Sequence, residues 1–228
     1  MAQTDNEIIV KTAHDLFNAG DYEAAAAALK LALSKTDGNN REFTICLQNL
    51  ALLEYMDFHT ETAEQLYLKA LPITESCYGK DSMAVANNLY GLSRCLRRDH
   101  KFEDAQMYLE RILDIRTKNL GNGHRLVGNT LLDLAVNCDR LGRTVNAQQM
   151  FEKTIEQKER IYGKDSPYLI KTLDTYSKFL HKINDQSANT VTSRLEILKA
   201  NGAVDISKQS KIEDGSGWLS IQQKAAGQ

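Results

Sequence analysis

The sequence predicts an all-α solenoid of about five antiparallel helix pairs, and three observations carry that expectation. Only 2 prolines stand among 228 residues, far below the roughly 5% of average usage, whereas turn-rich sandwiches and barrels need such punctuation. Hydrophobic residues make up 42% and charged residues 25%, a globular rather than a disordered balance. The third observation is a self-similarity of fixed period. Cys77-Tyr-Gly-Lys-Asp-Ser82 returns 84 residues later as Ile161-Tyr-Gly-Lys-Asp-Ser166, with Leu120-Gly121-Asn122 midway, so the period is 42. Five registers agree at that spacing. Leu47, Leu89, Leu131 and Leu173 align, and Leu50, Leu92, Leu134 and Tyr176 follow three places on. Ala63, Ala105 and Ala147 align, then Tyr67, Leu109 and Phe151, then Leu71, Leu113 and Ile155.

Each period reads as two helices. The pairs are expected near residues 5–36, 40–78, 81–120, 123–162 and 165–200, within a solenoid spanning 1–202. Pair one is shorter, since Ala25 to Ala63 is 38 residues. In pair two the L-x-x-L of the first helix is followed by the polar break Asp57-Phe-His-Thr60, and Pro72 inside the second helix predicts a kink near residues 68–72. In pair three Ser82 can cap the first helix by accepting from a free amide of its first turn. Gly91 within that helix is expected to cost about 0.5–1 kcal/mol relative to Ala. Arg98-Asp-His-Lys101 makes the break. In pair four His124 stands at the cap position and Leu141-Gly-Arg-Thr144 forms the break. In pair five Ser166 caps and Pro167 suits the first helical position, where its missing N–H would be unpaired anyway. Its expected alanine is Asn189, with Ala188 one place away, so the second helix starts one residue early or packs less well. Gly79, Gly121 and Gly163 are placed to stop the second helices in the left-handed conformation. Small alanines opposite large leucines let two backbones approach, and stacked pairs bury what neither helix could bury alone.

The segment Leu47-Gln-Asn-Leu-Ala-Leu-Leu53, the run Ala63-Glu-Gln-Leu-Tyr-Leu-Lys-Ala-Leu71 and the Tyr-Gly-Lys-Asp linkers resemble tetratricopeptide repeats of the 42-residue type found in kinesin light chains. Gly20-Asp-Tyr-Glu-Ala-Ala25 with Ala32 resembles the second-helix opening of the same family. The resemblance covers about residues 5–200. It implies a right-handed superhelix of antiparallel helix pairs whose inner face binds peptides or partner proteins, with the first helices lining that face. Carried onto this chain, pair three then presents Asn87, Tyr90, Arg94, Arg97 and Arg98. Pair four presents Asn129, Leu132, Val136, Asp139 and Arg140, and pair five Lys171, Asp174, Lys178, His181 and Lys182. Seven cations face two acids, a local balance of +5 in a chain of formal net charge -2. Pair two offers Ile45, Gln48, Leu52, Tyr55 and Met56, an apolar end. Such a surface suits a ligand with both an apolar anchor and acidic groups. Leu52, Tyr55 and Met56 read equally as core, and the cations as a solvated face. Arginine forks grip carboxylates bidentately, which ranks Arg94, Arg97 and Arg98 above the lysines. The carboxylate clamp by which some tetratricopeptide domains hold a chaperone's C-terminus cannot be assembled, because Leu132 and Asp174 occupy corresponding positions.

Residues that would carry chemistry do not converge. Gly-Lys-Asp-Ser lacks the spacing and the strand of a phosphate loop, and Gly121-Asn-Gly123 with Gly128 is not a dinucleotide fingerprint. The histidines fall one to a pair with no zinc spacing. Cys138 sits in a periodic helix, where packing explains it better than nucleophilic catalysis. The expectation is a non-enzymatic module without metal or cofactor. The start, MAQTDNEIIVKTAHDLF, has no basic region followed by an apolar one, and no apolar run reaches about 18 residues, so a cytoplasmic protein with no membrane association is expected. Cys46, Cys77, Cys95 and Cys138 form no C-x-x-C pair and are expected as reduced thiols. A helical single-stranded RNA reader is the alternative, with Tyr90 beside Arg94 and Arg97 as its suggestive feature. The balance of 28 basic and 30 acidic residues and the irregular spacing of aromatics argue against it. Residues 203–228 lack the period and carry a Gly-Ser-Gly break. They read as a flexible tail, or as a segment whose Trp218, Leu219 and Ile221 dock on the last pair or in the groove.

Overall fold

The computed structural model describes residues 5–36, 38 and 40–201, and among them it contains ten α-helices and no strand. The tail at 203–228, with Trp218, lies outside the described residues. The chain divides into two compact units, the first running to Lys101 and the second beginning at Phe102.

The first unit holds α1 (Asp5–Ala19), α2 (Tyr22–Lys35), α3 (Arg41–Met56), α4 (Thr60–Tyr78) and α5 (Met83–Arg98). α1 packs on α2, α3 on α4, and α4 on α5. Ser82 caps α5 as its sequence position suggests, its Oγ accepting from the Val85 amide at 3.4 Å. Asp21 and Asn40 do the same for α2 and α3, through the Ala24 and Phe43 amides at 3.1 and 2.8 Å. Helix α4 continues through Pro72 to Tyr78.

Gly91 has a purpose that propensity alone conceals. The Tyr67 ring of α4 lies against it, and a Cβ built at Gly91 would stand 2.5 Å from Cε1 and 2.6 Å from Oη of that tyrosine. The glycine is a slot, and its helix-propensity penalty is the cost of seating a large ring at the α4–α5 crossing.

The second unit holds α6 (Phe102–Leu120), α7 (Arg125–Arg140), α8 (Thr144–Tyr162), a 3-10 turn at Pro167–Leu169, α9 (Ile170–Lys182) and α10 (Ala188–Asn201). α6 packs on α7, α7 on α8, and α9 on α10. The first helix of pair five is therefore not α-helical from Pro167 onward; its entry is wound into a 3-10 turn, with the Leu169 amide bonded to the Ser166 carbonyl. Ser166 Oγ caps that turn through the Tyr168 amide at 3.4 Å. His124 caps α7, its Nδ1 accepting from the Leu126 amide at 3.1 Å. Burial and the neighbouring cations of Arg125 and Arg116 hold this imidazole below its ordinary pKa, which keeps the accepting nitrogen unprotonated.

The small-residue register is buried throughout: Ala25, Ala63, Ala105 and Ala147 are fully enclosed. In pair five the buried small residue is Ala188 and Asn189 is exposed, one place earlier than the period expects, while α10 itself begins only at Ala188 and so lacks the turn that precedes the alanine in the other second helices. The next register, Leu29, Tyr67, Leu109 and Phe151, is buried as well. Two registers depart from expectation. Leu71, Leu113 and Ile155 are only half-buried, and Ala70, Ile112 and Thr154, one place earlier, face the core instead. Counting from the alanine, a step of seven returns a helix to within about 20° of its starting direction, whereas a step of eight leaves the side chain about 80° away, at the edge of the apolar stripe. Leu131 is half-buried while Leu132 is buried with Tyr176 and Phe179.

Four residues beyond that stripe the core turns polar, at Thr74, Arg116 and Lys158. Gln48 Nε2 donates to Thr74 Oγ1 at 3.0 Å between α3 and α4. Arg116, fully enclosed, donates through Nη1 to Thr130 Oγ1 at 2.9 Å between α6 and α7. Beside Lys158, Gln157 reaches from α8 to the Asn122 and His124 carbonyls. These bonds pair part of the buried polar complement, with Gln48 Oε1 and Gln157 Oε1 having no hydrogen-bond partner among the described residues, and they fix helix register, since a slipped helix would strand the paired groups.

Candidate partner-binding surface

The residues that the family resemblance places on an inner face come from the first helix of each pair, and the two units carry them separately. In the first unit Ile45 and Leu52 of α3 are buried, at 5% and 7% exposure. They pack within the unit, Ile45 in the cluster of Val10, Ala13 and Leu29. Tyr55 is half-buried and Met56 is exposed. On α5 Tyr90 is buried at 5%, while Asn87, Arg94, Arg97 and Arg98 are half-buried.

The arginines are not loose. The Arg94 and Arg98 guanidinium carbons lie 4.4 and 3.6 Å from the centroid of the Tyr55 ring, and the Phe58 ring stands 4.9 Å from Arg98 on the same side chain. Arg98 Nη1 donates to the Tyr55 carbonyl at 2.5 Å. Tyr55 thus serves as a platform that orients two cations, because a ring face attracts guanidinium.

In the second unit Arg140 of α7 and Lys171, Lys178 and Lys182 of α9 are exposed, and Asn129 is half-buried. Lys178 Nζ bonds Asp174 Oδ2 at 2.6 Å and Lys182 Nζ bonds Asp139 Oδ1 at 2.7 Å. Both acids of the register are therefore engaged. Exposed pairs of this kind add little stability, and their effect here is on charge, leaving Arg140 and Lys171 as the cations of this register that form no ion pair among the described residues.

The turn within each pair holds a feature that sequence reading passed over. Gly20, Phe58, His100, Gly142 and Asn184 all have φ between 56° and 85°, and from Phe58 onward they recur every 42 residues. Gly and Asn accept that conformation readily, whereas a bulky ring does so under strain. The glycines at two of these places and Asn184 were the available signal.

Among the described residues no group of three or more His, Cys, Asp or Glu is placed to hold a metal. No helix there is long and apolar enough to cross a membrane.

The sequence profile of the tetratricopeptide repeat matches residues 43–118 and 84–160, together more than half of the chain. The chain belongs to the tetratricopeptide repeat family. Solved structures agree on the architecture. The nearly identical TPR-like repeats of a Podosopora anserina protein described as a kinesin light chain superpose with a TM-score of 0.76 at 14% identity, covering 87% of this chain and 98% of that one. BtubC (BKLC) from P. vanneervenii gives 0.75 at 22% identity, covering 86% and 81%. MamA 41-end from Desulfovibrio magneticus RS-1 gives 0.69 at 13% identity, covering 89% and 100%. At these identities the likeness speaks to fold. No curated protein sequence matches the chain.

Proposed function

We propose that this chain is a non-enzymatic interaction module, a scaffold or adaptor that binds a peptide or protein segment carrying acidic groups along its first-helix faces, the concave and partly cationic groove expected of its family. The observation that carries this reading is the charge of the first-helix register in the second unit. Four cations stand there against two acids, and the acids are held by Lys178 and Lys182. A cationic strip of this kind attracts acidic ligands over a distance set by ionic strength, about 8 Å in physiological salt. The apolar end of the proposed groove narrows to Tyr55 and Met56, since Ile45 and Leu52 are enclosed.

Burial of Tyr90 weighs against the RNA alternative, because a ring at 5% exposure offers no face for a base to stack on. A cytoplasmic setting suits reduced thiols such as Cys46, Cys95 and Cys138, which are buried and form no disulfide. The test is affinity capture of partners by the purified chain and by an Arg140→Ala, Lys171→Ala variant, beside a mobility-shift titration with generic single-stranded RNA. The reading expects partners that the variant loses and no RNA shift at physiological salt. Partners retained fully by the variant, or a robust RNA shift, would overturn it.

A further inference from the structure

One contact occurs twice in the chain at the same register but with different chemistry. Lys182, at the end of α9, reaches back 43 residues to the Asp139 carboxylate at the end of α7. Arg98, at the end of α5, reaches back the same 43 residues to Tyr55 at the end of α3. Where the second unit has a carboxylate, the first has a tyrosine. Arg98 accordingly contacts a carbonyl oxygen and two rings, all neutral, and no described carboxylate forms an ion pair with it. The acids of the same turn are used elsewhere: Glu54 is engaged by His59 and Lys30, and Asp57 by His59.

The surface beside this cation is apolar. Phe58 is 79% exposed and Met56 37%. Phe58 also holds φ 64°, at a turn position filled elsewhere by glycine, histidine or asparagine. A large ring kept in a strained conformation lowers stability, and its exposure forgoes the burial that would offset the strain. Stacking on Arg98 recovers part of that cost, and it leaves the outward face of the ring uncovered.

We propose that the α3–α4 turn, through Tyr55, Met56, Phe58 and Arg98, docks an Asp or Glu carboxylate of a partner peptide together with an adjacent apolar side chain. The carboxylate supplies to Arg98 the anion that Asp139 supplies to Lys182, and the apolar side chain covers Phe58 and Met56. A guanidinium already oriented between two rings loses little freedom on binding, which favours a compact hot spot over a diffuse charge effect. The proposal rests on the interaction-module reading and narrows it to one turn and one ligand chemistry.

Random dodecapeptides displayed on phage, selected against the full chain, test it. The enriched sequences should place Asp or Glu within two residues of an aliphatic or aromatic side chain. A synthetic peptide of that sequence should bind Arg98→Gln and Phe58→Gly at least about tenfold more weakly than the parent chain. Tyr55→Asp installs the internal carboxylate found at Asp139 and should weaken the peptide comparably. Circular dichroism identifies folded variants, and Phe58→Gly should unfold at a higher temperature than the parent. Should Tyr55→Asp fail to fold, the other two variants decide. Selection without acidic enrichment, or equal affinity for folded Arg98→Gln and Phe58→Gly, overturns the proposal. Peptides that ignore those two variants but are lost on Arg140→Ala, Lys171→Ala would sink the turn site and leave the broader reading standing.

Discussion

Gly91→Ala sets two effects against each other whose sizes can be compared. Helix propensity alone makes the change favourable, by about 0.5–1 kcal/mol. Packing opposes it. Carbon atoms rest about 3.5–4.0 Å apart, and the new Cβ would sit 2.5 Å from Cε1 of Tyr67, an overlap of roughly an ångström. The ring cannot swing away into solvent, since Tyr67 is 5% exposed and burial also pushes its hydroxyl pKa well up. Overpacking of this kind typically costs about 1–3 kcal/mol, so the net effect, taken at the middle of both ranges, is a loss of roughly 1 kcal/mol. For a chain of this size each kcal/mol moves the thermal midpoint by about 2–4 °C, so the variant should melt a few degrees lower. Calorimetry would measure the shift, and the pair should be repeated in a Tyr67→Leu background. There the same substitution should become neutral or stabilising, because the clashing ring is gone. A single variant as stable as the parent, or more stable, would refute the slot.

Three further outcomes follow from burial and titration. Ala105→Leu inserts bulk at a fully enclosed position and should cost about 1–3 kcal/mol in urea unfolding. His124 has a depressed pKa in the folded state, so the unfolded chain takes up its proton first as pH falls. Stability should therefore decline below about pH 6.5, the ordinary histidine value, and that decline should shrink in His124→Asn, whose amide oxygen caps without titrating. Burial pushes the Cys46 and Cys95 thiols up to about 12. These groups favour the folded state below their ordinary pKa, and that contribution should be lost as pH climbs from about 9 to about 12, measurable as an alkaline shoulder that Cys46→Ala reduces.

Most of the fold was legible because a repeat states its rules several times over. Ser82, His124 and Ser166 were readable as caps from position, and Ala63, Ala105 and Ala147 as crossing points from size. What escaped depends on contact between distant residues. Gly91 carries no mark that Tyr67 will lie on it. Arg116 looks like a surface cation, and only the α6–α7 packing encloses it beside Thr130. The half-buried third register shows that an alignment can be consistent in sequence and still sit one residue off the core stripe. The cations of the candidate surface were identifiable in kind, whereas their engagement was not. Asp139 and Lys182 are 43 residues apart, and so are Tyr55 and Arg98, so the same repeat offset produces an ion pair in one place and a stack in the other.

The most direct test of the interaction reading is the salt dependence of binding for one captured partner, measured by titration calorimetry with the parent chain and with Arg140 and Lys171 both changed to Ala. Circular dichroism first establishes that the variant is folded. The account predicts that parent affinity falls as salt rises from roughly 50 to 500 mM, since screening shortens the reach of clustered cations, and that the double variant binds at least about tenfold more weakly with a flatter salt response. A partner held equally well by both proteins across that range would contradict it.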